Sequence, residues 1–401
     1  GNTWTRLADK NKVWGYCLSM VQDPTVENLL FLGTEFGLYF SIDYGQNWTK
    51  WTSGYPTLST MDLAIQPREG DLVIGTFGRA IWVLDDIRPL RELAKNGKEA
   101  ILNVDLKVFK APDAWLAHLG EPNGYRSTGN NVFSGENRAP NALISYYIKE
   151  VEEKEKPEKA TIQIFDCENK LIRTFKDKPK KGINRVEWRL DVKGVRFPNS
   201  SVPKKDANEP SGRKVLPGVY KAKISYGAFA DSTSIIVKAD PNIPVSDTEM
   251  AAKAVLIDRY YQSVQQATKQ TDQLREAANS IDLVNKILKK EKPSESTKTL
   301  ISKGDELKKT LESHLYKIIP SKDIKGISRN PDLVHYRLQG VSRYLQNTLF
   351  PTTPTQEFAL EECERYIQPI LEGVNQFFKT EWVAYKKRVD EASISLISDV
   401  E

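Results

Sequence analysis

The chain has 401 residues, 39% hydrophobic and 28% charged, with 58 Lys and Arg against 53 Asp and Glu for a net charge of +5. This is an ordinary globular composition with length for two or three domains. No Lys/Arg stripe interleaves with aromatics, which argues against nucleic acid as a partner, and no apolar run approaches the ~20 residues of a membrane-spanning helix. Cys17, Cys167 and Cys363 stand far apart with no CxxC or Cys/His cluster, so neither a zinc site nor a disulfide scaffold is expected. That cysteine usage fits a reducing compartment or an export route that does not rely on bridges.

The N-terminal part repeats itself. "MVQDPTVENLLFLGTEFGLYFSIDYG" from Met20 and "LAIQPREGDLVIGTFGRAIWVLDD" from Leu63 share one order: apolar strand, Gln, Pro, polar turn, apolar strand, Gly-Thr, glycine, aromatic strand. Gly33-Thr34 and Gly75-Thr76 lie 42 residues apart, and Trp4 and Trp48 lie 44 apart. Several short strands per period in the low forties is blade spacing, so residues 1–90 are expected to form about two blades of a β-propeller.

A Gly/Asn/Ser/Pro-rich excursion runs from His118 to Asn141. Around and beyond it, "ALISYYIKEV", "ATIQIFD", "KLIRTFK", "NRVEWRLD", "GVYKAKISYG" and "DSTSIIVK" are short β-branched and aromatic runs separated by turns. They predict an immunoglobulin-like β-sandwich over 105–242. Within it, Arg196 to Lys214 reads as a polar, mobile insertion. After the linker "KADPNIPVSD", Ser246 or Asp247 can cap a helix with Glu249 in its first turn. Ile257, Val264, Thr271, Ala278 and Asn285 recur every seven residues, with Tyr260, Ala267, Leu274, Ile281 and Leu288 as the second seam. Further helices are expected at about 295–318, 332–349 and 354–396, making 246–401 an antiparallel helical bundle.

"SIDYGQNW", Ser41 to Trp48, is a complete Asp-box, Ser-x-Asp-x-Gly-x-x-Trp. Its physics is architectural: Asp43 can accept hydrogen bonds from turn amides, Gly45 permits a positive φ, and Trp48 inserts between strands. "GNTW", Gly1 to Trp4, matches its second half, so the chain is expected to begin part-way through such a motif, with N-terminal blades missing. Glu35, Asp85 and Asp86 are carboxylates near blade edges. Acid/base pairs need about 5–10 Å between carboxyl groups across a cleft, but adjacent aspartates at a strand end more often cap a turn or pair with an arginine such as Arg79 or Arg88. Trp4, Trp14, Trp48, Trp51 and Trp82 read mainly as blade core, with Trp51 held open as a surface residue. Trp51, Glu35, Asp85 and Asp86 are therefore the candidate ligand surface. His118, His314 and His335 have no partner at metal-ligand spacing, no cofactor motif is present, and "GYRSTGNN" reads as a plain loop.

In this fixed order, "SIDYGQNW", "LAIQPREGDLVIGTFGRAIWVLDDIRPLREL", "APNALISYYIKE", "NRVEWRL" and "LPGVYKAKI" resemble the C-terminal part of large bacterial Asp-box (BNR-repeat) proteins of the Bacteroidetes type, which have sortilin- or xyloglucanase-like propellers. The resemblance implies an Ig-like segment after the propeller, a helical tail, and export to the periplasm or cell surface of a Gram-negative bacterium. Such proteins are often labelled glycosyl hydrolase, but no sialidase arginine triad or xyloglucanase aspartate pair can be matched, so no catalytic residue carries over. Asp85-Asp86-Ile87-Arg88 also replaces an Asp-box where the last blade ends. Two functions compete. One is a non-catalytic binding or scaffold region whose propeller takes a glycan or protein. The other is the C-terminal part of a glycoside hydrolase whose active site lies mainly on missing blades.

Overall fold

A computed structural model describes residues 2–117, 138, 140–151, 158–204, 207–289, 294–321, 330–345 and 349–392. Contacts divide the chain into two units, Gly1–Asp191 with Pro217–Asp240 and Val192–Leu216 with Pro241–Glu401. The fold mixes antiparallel sheets with a C-terminal helical region.

The first unit begins with two antiparallel meanders. One orders β1 (Cys17–Gln22), β2 (Leu30–Thr34), β3 (Gly37–Ser41) and β4 (Thr49–Lys50) side by side, and the other orders β5 (Thr60–Gln66), β6 (Asp71–Thr76) and β7 (Ile81–Leu84). Strand side chains alternate between faces, so Phe31 and Leu38 of the first sheet meet Leu63, Leu72 and Ile74 of the second in one core. The repeated Gly-Thr pair acts through local chemistry. Thr34 Oγ1 donates to the Gly37 carbonyl at 3.1 Å and Thr76 Oγ1 to the Ala80 carbonyl at 2.6 Å, each closing the turn after its strand. Gly33 lets the sheets approach, because a Cβ there would fall 2.6 Å from the Thr60 carbonyl oxygen. Two helices follow that the sequence reading did not anticipate, α1 (Arg88–Asn96) and α2 (Lys98–Leu102). Leu90, Leu93 and Ala94 of α1 join the same core, and Arg91 pairs at 2.8 Å with the buried Asp23.

The rest of this unit holds β8 (Leu106–Val108), β9 (Ala114–Leu116), β10 (Ala142–Ile148), β11 (Ala160–Phe165), β12 (Leu171–Asp177) and β13 (Gly182–Trp188). It is completed by β16 (Gly218–Tyr226) and β17 (Phe229–Ala239), which follow in the chain a two-stranded ribbon of β14 (Asp191–Lys193) and β15 (Ser211–Lys214) that belongs, apart from Asp191, to the second unit. The larger sheets have the orders β13-β10-β8 and β12-β11-β16-β17-β9, with only β9 parallel to its neighbour. They face each other: Trp188 meets Tyr220 edge-on at 5.3 Å, and the Tyr146 hydroxyl donates to Asp177 at 2.6 Å. The six expected runs are all strands. The short β8 and β9 carry too few residues for periodicity to announce them.

The second unit contains α3 (Asp247–Leu288), α4 (Glu295–Ile318), α5 (Val334–Leu345), α6 (Pro354–Lys379) and α7 (Glu381–Glu391). Capping boxes at Ser246/Glu249, Ser294/Thr297 and Thr353/Gln356 start three of them. Both seven-residue seams of α3 face the core, from Tyr260, Val264 and Ala267 to Ile281 and Leu288. The helix expected over 354–396 is interrupted at Thr380, and residues 393–401 lie outside the described set. Among the described residues no helix is long and apolar enough to cross a membrane.

The insertion expected to be mobile is docked in its described part. Val195 and Phe197 pack on the helical core. Arg196 pairs with Asp272, the Thr268 hydroxyl donates to the Arg196 carbonyl at 2.6 Å, and Arg213 holds Asp258 through two bonds of 2.8 and 2.9 Å. Asp258 and Asp272 are two heptads apart on α3, about 21 Å along its axis at 1.5 Å per residue. The segment's polar composition hid this, because its anchors are a few side chains meeting partners distant in sequence.

Candidate functional site

The chemistry-bearing residues of the N-terminal sheets collect at two opposite ends. Pairings of Cys17 with Thr34, Thr34 with Gly37 and Thr60 with Thr76 define one end. Ser59 ties its turns together, donating its hydroxyl to the Glu35 carbonyl at 3.0 Å and accepting from the Phe77 amide at 3.0 Å. The Trp14 amide donates to the Tyr39 hydroxyl at 3.2 Å, and its ring stacks on Phe36 at 4.2 Å and 19°. Gly15 makes that possible: its φ is +85°, and a Cβ would lie 2.6 Å from the Phe36 ring. Lys50 Nζ stands 5.4 Å from the Trp14 ring centre, and Glu35 Oε2 accepts from the Tyr16 amide at 3.4 Å.

This end is unusually apolar for an exposed surface. Trp14 is 60% exposed, Tyr16 78% and Phe77 75%. Single exposed hydrophobics are unremarkable, but grouped aromatics beside one cation and one anion make a surface able to stack on a flat or ring-shaped partner and orient it by charge. Trp14 was expected in a blade core, and the structure corrects that: its segment lies along Phe36 and Tyr39 instead of between two sheets. Repetition of tryptophan could not reveal this, since core and surface tryptophans look alike in sequence.

Of the four residues singled out from sequence, only Glu35 lies at the aromatic end on its own account. Trp51 is half-buried, its indole N–H donating to the Ser53 carbonyl at 2.8 Å and its ring edge-on to Phe40 at 5.9 Å, as part of the inter-sheet core. Asp85 and Asp86 follow β7 at the other end, beside Asp71. Asp86 is 2% exposed with φ +52°, a left-handed conformation that is uncommon and strained for a non-glycine. Arg88 Nη1 donates to one oxygen of the Asp86 carboxylate at 2.7 Å, and the Asp86 amide donates to Asp71 at 2.8 Å, while the other carboxylate oxygen is buried without a hydrogen-bond partner among the described residues. Arg185 donates to the carbonyls of Asp85 at 2.7 Å and Asp86 at 3.0 Å. Burial and the neighbouring Asp71 push the Asp85 carboxyl above its ordinary range, while Arg138 and Arg185 pull it back. Arg79 serves differently, its carbonyl accepting from the Trp82 indole at 3.1 Å. The six residues of β6 separate the two ends by roughly 17–20 Å at about 3.3 Å per residue. Glu35 and Asp85 are thus too far apart to act as a carboxylate pair.

The Ser41–Trp48 turn is also remote from the aromatic end and consumes its own polar groups. Ser41 Oγ donates to Asp43 at 2.7 Å and accepts from the Gly45 amide at 2.9 Å. Asp43 accepts from the Asn47 amide at 2.9 Å and the Asn47 side chain at 2.7 Å. Burial alone would raise the Asp43 carboxyl, but the bonds from Asn47 and Ser41 outweigh it and hold the group below its ordinary value. Gly45 sits at φ +82°. Trp48 donates its indole N–H to the Leu7 carbonyl at 3.1 Å and packs beside Val13, Leu32 and Tyr39. Trp4 is 92% exposed in a stretch without strand structure, and Gly1 lies outside the described residues.

His118 and the "GYRSTGNN" loop also lie outside the described residues. His314 packs on Phe377, and the buried His335 on Phe197 and Tyr336. Among the described residues no three His, Cys, Asp or Glu side chains converge as metal ligands. No protein-family model matches the chain, and a search of curated proteins finds no match.

Proposed function

We propose that the protein is a non-catalytic binding and scaffold module. In this reading the two N-terminal sheets are blades of an Asp-box β-propeller, the facing sheets after them form an Ig-like sandwich, and the C-terminal helices are a bundle that positions the module or docks a partner. The aromatic end of the sheets engages a glycan or a protein surface. The observation that carries the reading is the exposed Trp14, Tyr16 and Phe77 grouped with Glu35 and Lys50. The 42-residue repeat and the self-satisfied Ser41–Trp48 turn support the propeller assignment.

Further blades are the partners this reading implies. Leu18 and Met20 leave one sheet face apolar and exposed, and Ile81 and Val83 do so on the other sheet; neighbouring sheets would cover both. The resemblance to exported Asp-box proteins supports a location in the periplasm or at the surface of a Gram-negative cell. The test is affinity electrophoresis of the protein on a polysaccharide panel, with Trp14→Ala and Tyr16→Ala beside the native chain. Retardation by at least one polysaccharide, lost in both variants, is expected. Retardation unchanged in both would refute the aromatic site, and product release that stops when a carboxylate is removed would overturn the non-catalytic reading.

A further inference from the structure

Helix α5 carries Gly340 in its interior, and nothing around it demands a glycine. Its φ is not positive, and a Cβ built there meets no atom within 4 Å. Glycine is the poorest helix former after proline, so an unforced glycine in mid-helix is a local conflict that wants an explanation. The space over it supplies one. A groove of about 610 Å³ runs between α5 and α6, with Gly340, Ala359 and Cys363 in its lining. That volume is within the range of small-molecule sites.

Rings and cations complete the groove. Tyr336, Tyr344 and Tyr366 line it. Tyr366 is fixed at both ends: its hydroxyl donates to the Asp332 carbonyl at 2.8 Å, and the Arg337 guanidinium lies 4.5 Å from its ring centre. Arg337 is partly neutralised by Asp332 at 3.2 Å. Glu362 also lines the groove but pairs with Arg365 at 2.7 Å. Arg343 is exposed and has no hydrogen-bond or carboxylate partner among the described residues. The groove therefore offers aromatic walls, a floor of small residues and an uncompensated guanidinium, whose planar fork suits a carboxylate.

We propose that this groove binds a small flat carboxylate, its ring body over Gly340 among the tyrosines and its carboxylate on Arg343. The test uses the full chain and 2-naphthoate as the probe, with 2-naphthalenemethanol as its neutral counterpart, followed by calorimetric titration. Saturable binding of 2-naphthoate is expected, with the alcohol and the Arg343→Gln variant each weaker by roughly tenfold through loss of the charge-assisted pair. Gly340→Leu should abolish binding while raising the thermal midpoint, because leucine improves the helix and fills only open space. Absence of 2-naphthoate binding up to about 10 mM, far weaker than a built site would give, overturns the proposal. So does binding that survives Gly340→Leu or is unchanged in Arg343→Gln. A lowered midpoint in Gly340→Leu overturns it too, since the chain itself would then occupy the space. Arg343 is exposed, so its variant tests the site even if the leucine variant does not fold.

Discussion

Asp43→Ala separates architecture from ligand chemistry in the N-terminal sheets. The substitution removes the acceptor for the Ser41 hydroxyl at 2.7 Å, the Asn47 amide at 2.9 Å and the Asn47 side chain at 2.7 Å. A hydrogen bond to a charged acceptor contributes about 1.5–3 kcal/mol when desolvated. Asp43 is only half-buried, so water will replace part of what is lost. A net cost of about 2 kcal/mol is the reasonable figure for all three bonds together. For a unit of roughly 200 residues this lowers the thermal midpoint by about 4–8 °C. Differential scanning calorimetry of the native chain, Asp43→Ala, Asn47→Ala and the double variant forms the cycle. The double variant should cost less than the sum, because both single changes break the one bond between the Asn47 side chain and Asp43. Glycan retardation at the aromatic end should survive, since that end lies across the sheets from the turn. A midpoint unmoved within about 1 °C, or retardation lost while stability is kept, would show that Asp43 serves a ligand and not its turn.

Two glycines should respond in opposite ways. Gly304→Ala places a Cβ 2.9 Å from Asn285 Oδ1 and 3.0 Å from the Tyr385 hydroxyl, and should cost about 1–2 kcal/mol in urea unfolding despite the better helix former. Gly340→Ala meets nothing and should stabilise by roughly 0.5–1 kcal/mol. Phe197→Ala removes a half-buried ring from the docked arm and should cost about 2 kcal/mol, less than a fully buried phenylalanine, with faster amide exchange in α5 beside His335. Burial holds the imidazoles of His335 and His314 below their ordinary value of 6.5, with Lys317 adding to the effect at His314 and Glu381 opposing it. The unfolded chain then binds protons that the folded one refuses, so the helices lose stability as pH falls from about 7 through 6.5 toward the folded values, and no such loss exists above that window. Denaturant titrations at stepped pH should show this slope and a shallower one in His335→Phe.

What could be read from residues alone was local. A helix start at Ser246 or Asp247 with Glu249 in the first turn was legible because cap and first turn are neighbours, and the structure makes Ser246 the cap, in a capping box with Glu249. The α3 seams were legible because a seven-residue repeat places side chains on one stripe whatever they pack against. The Gly-Thr repeats marked equivalent strand ends, since each threonine bonds within its own turn. The interruption at Thr380 was invisible in a continuous amphipathic pattern, and α1 is too short for periodicity to declare it.

Sequence by itself therefore determined the longer strands and helices, the two-fold repeat in the sheets, and the closed chemistry of the Ser41–Trp48 turn, because these depend on neighbours a few residues away. Only the tertiary structure decided the rest. It put Trp14 and Tyr16 at an exposed end and Trp51 in a core, held Glu35 and Asp85 at opposite ends of the strands, and docked Arg196 and Arg213 on aspartates of α3. It also left open space over Gly340. Exposure, separation and empty volume are properties of residues distant in the chain, and no local pattern carries them.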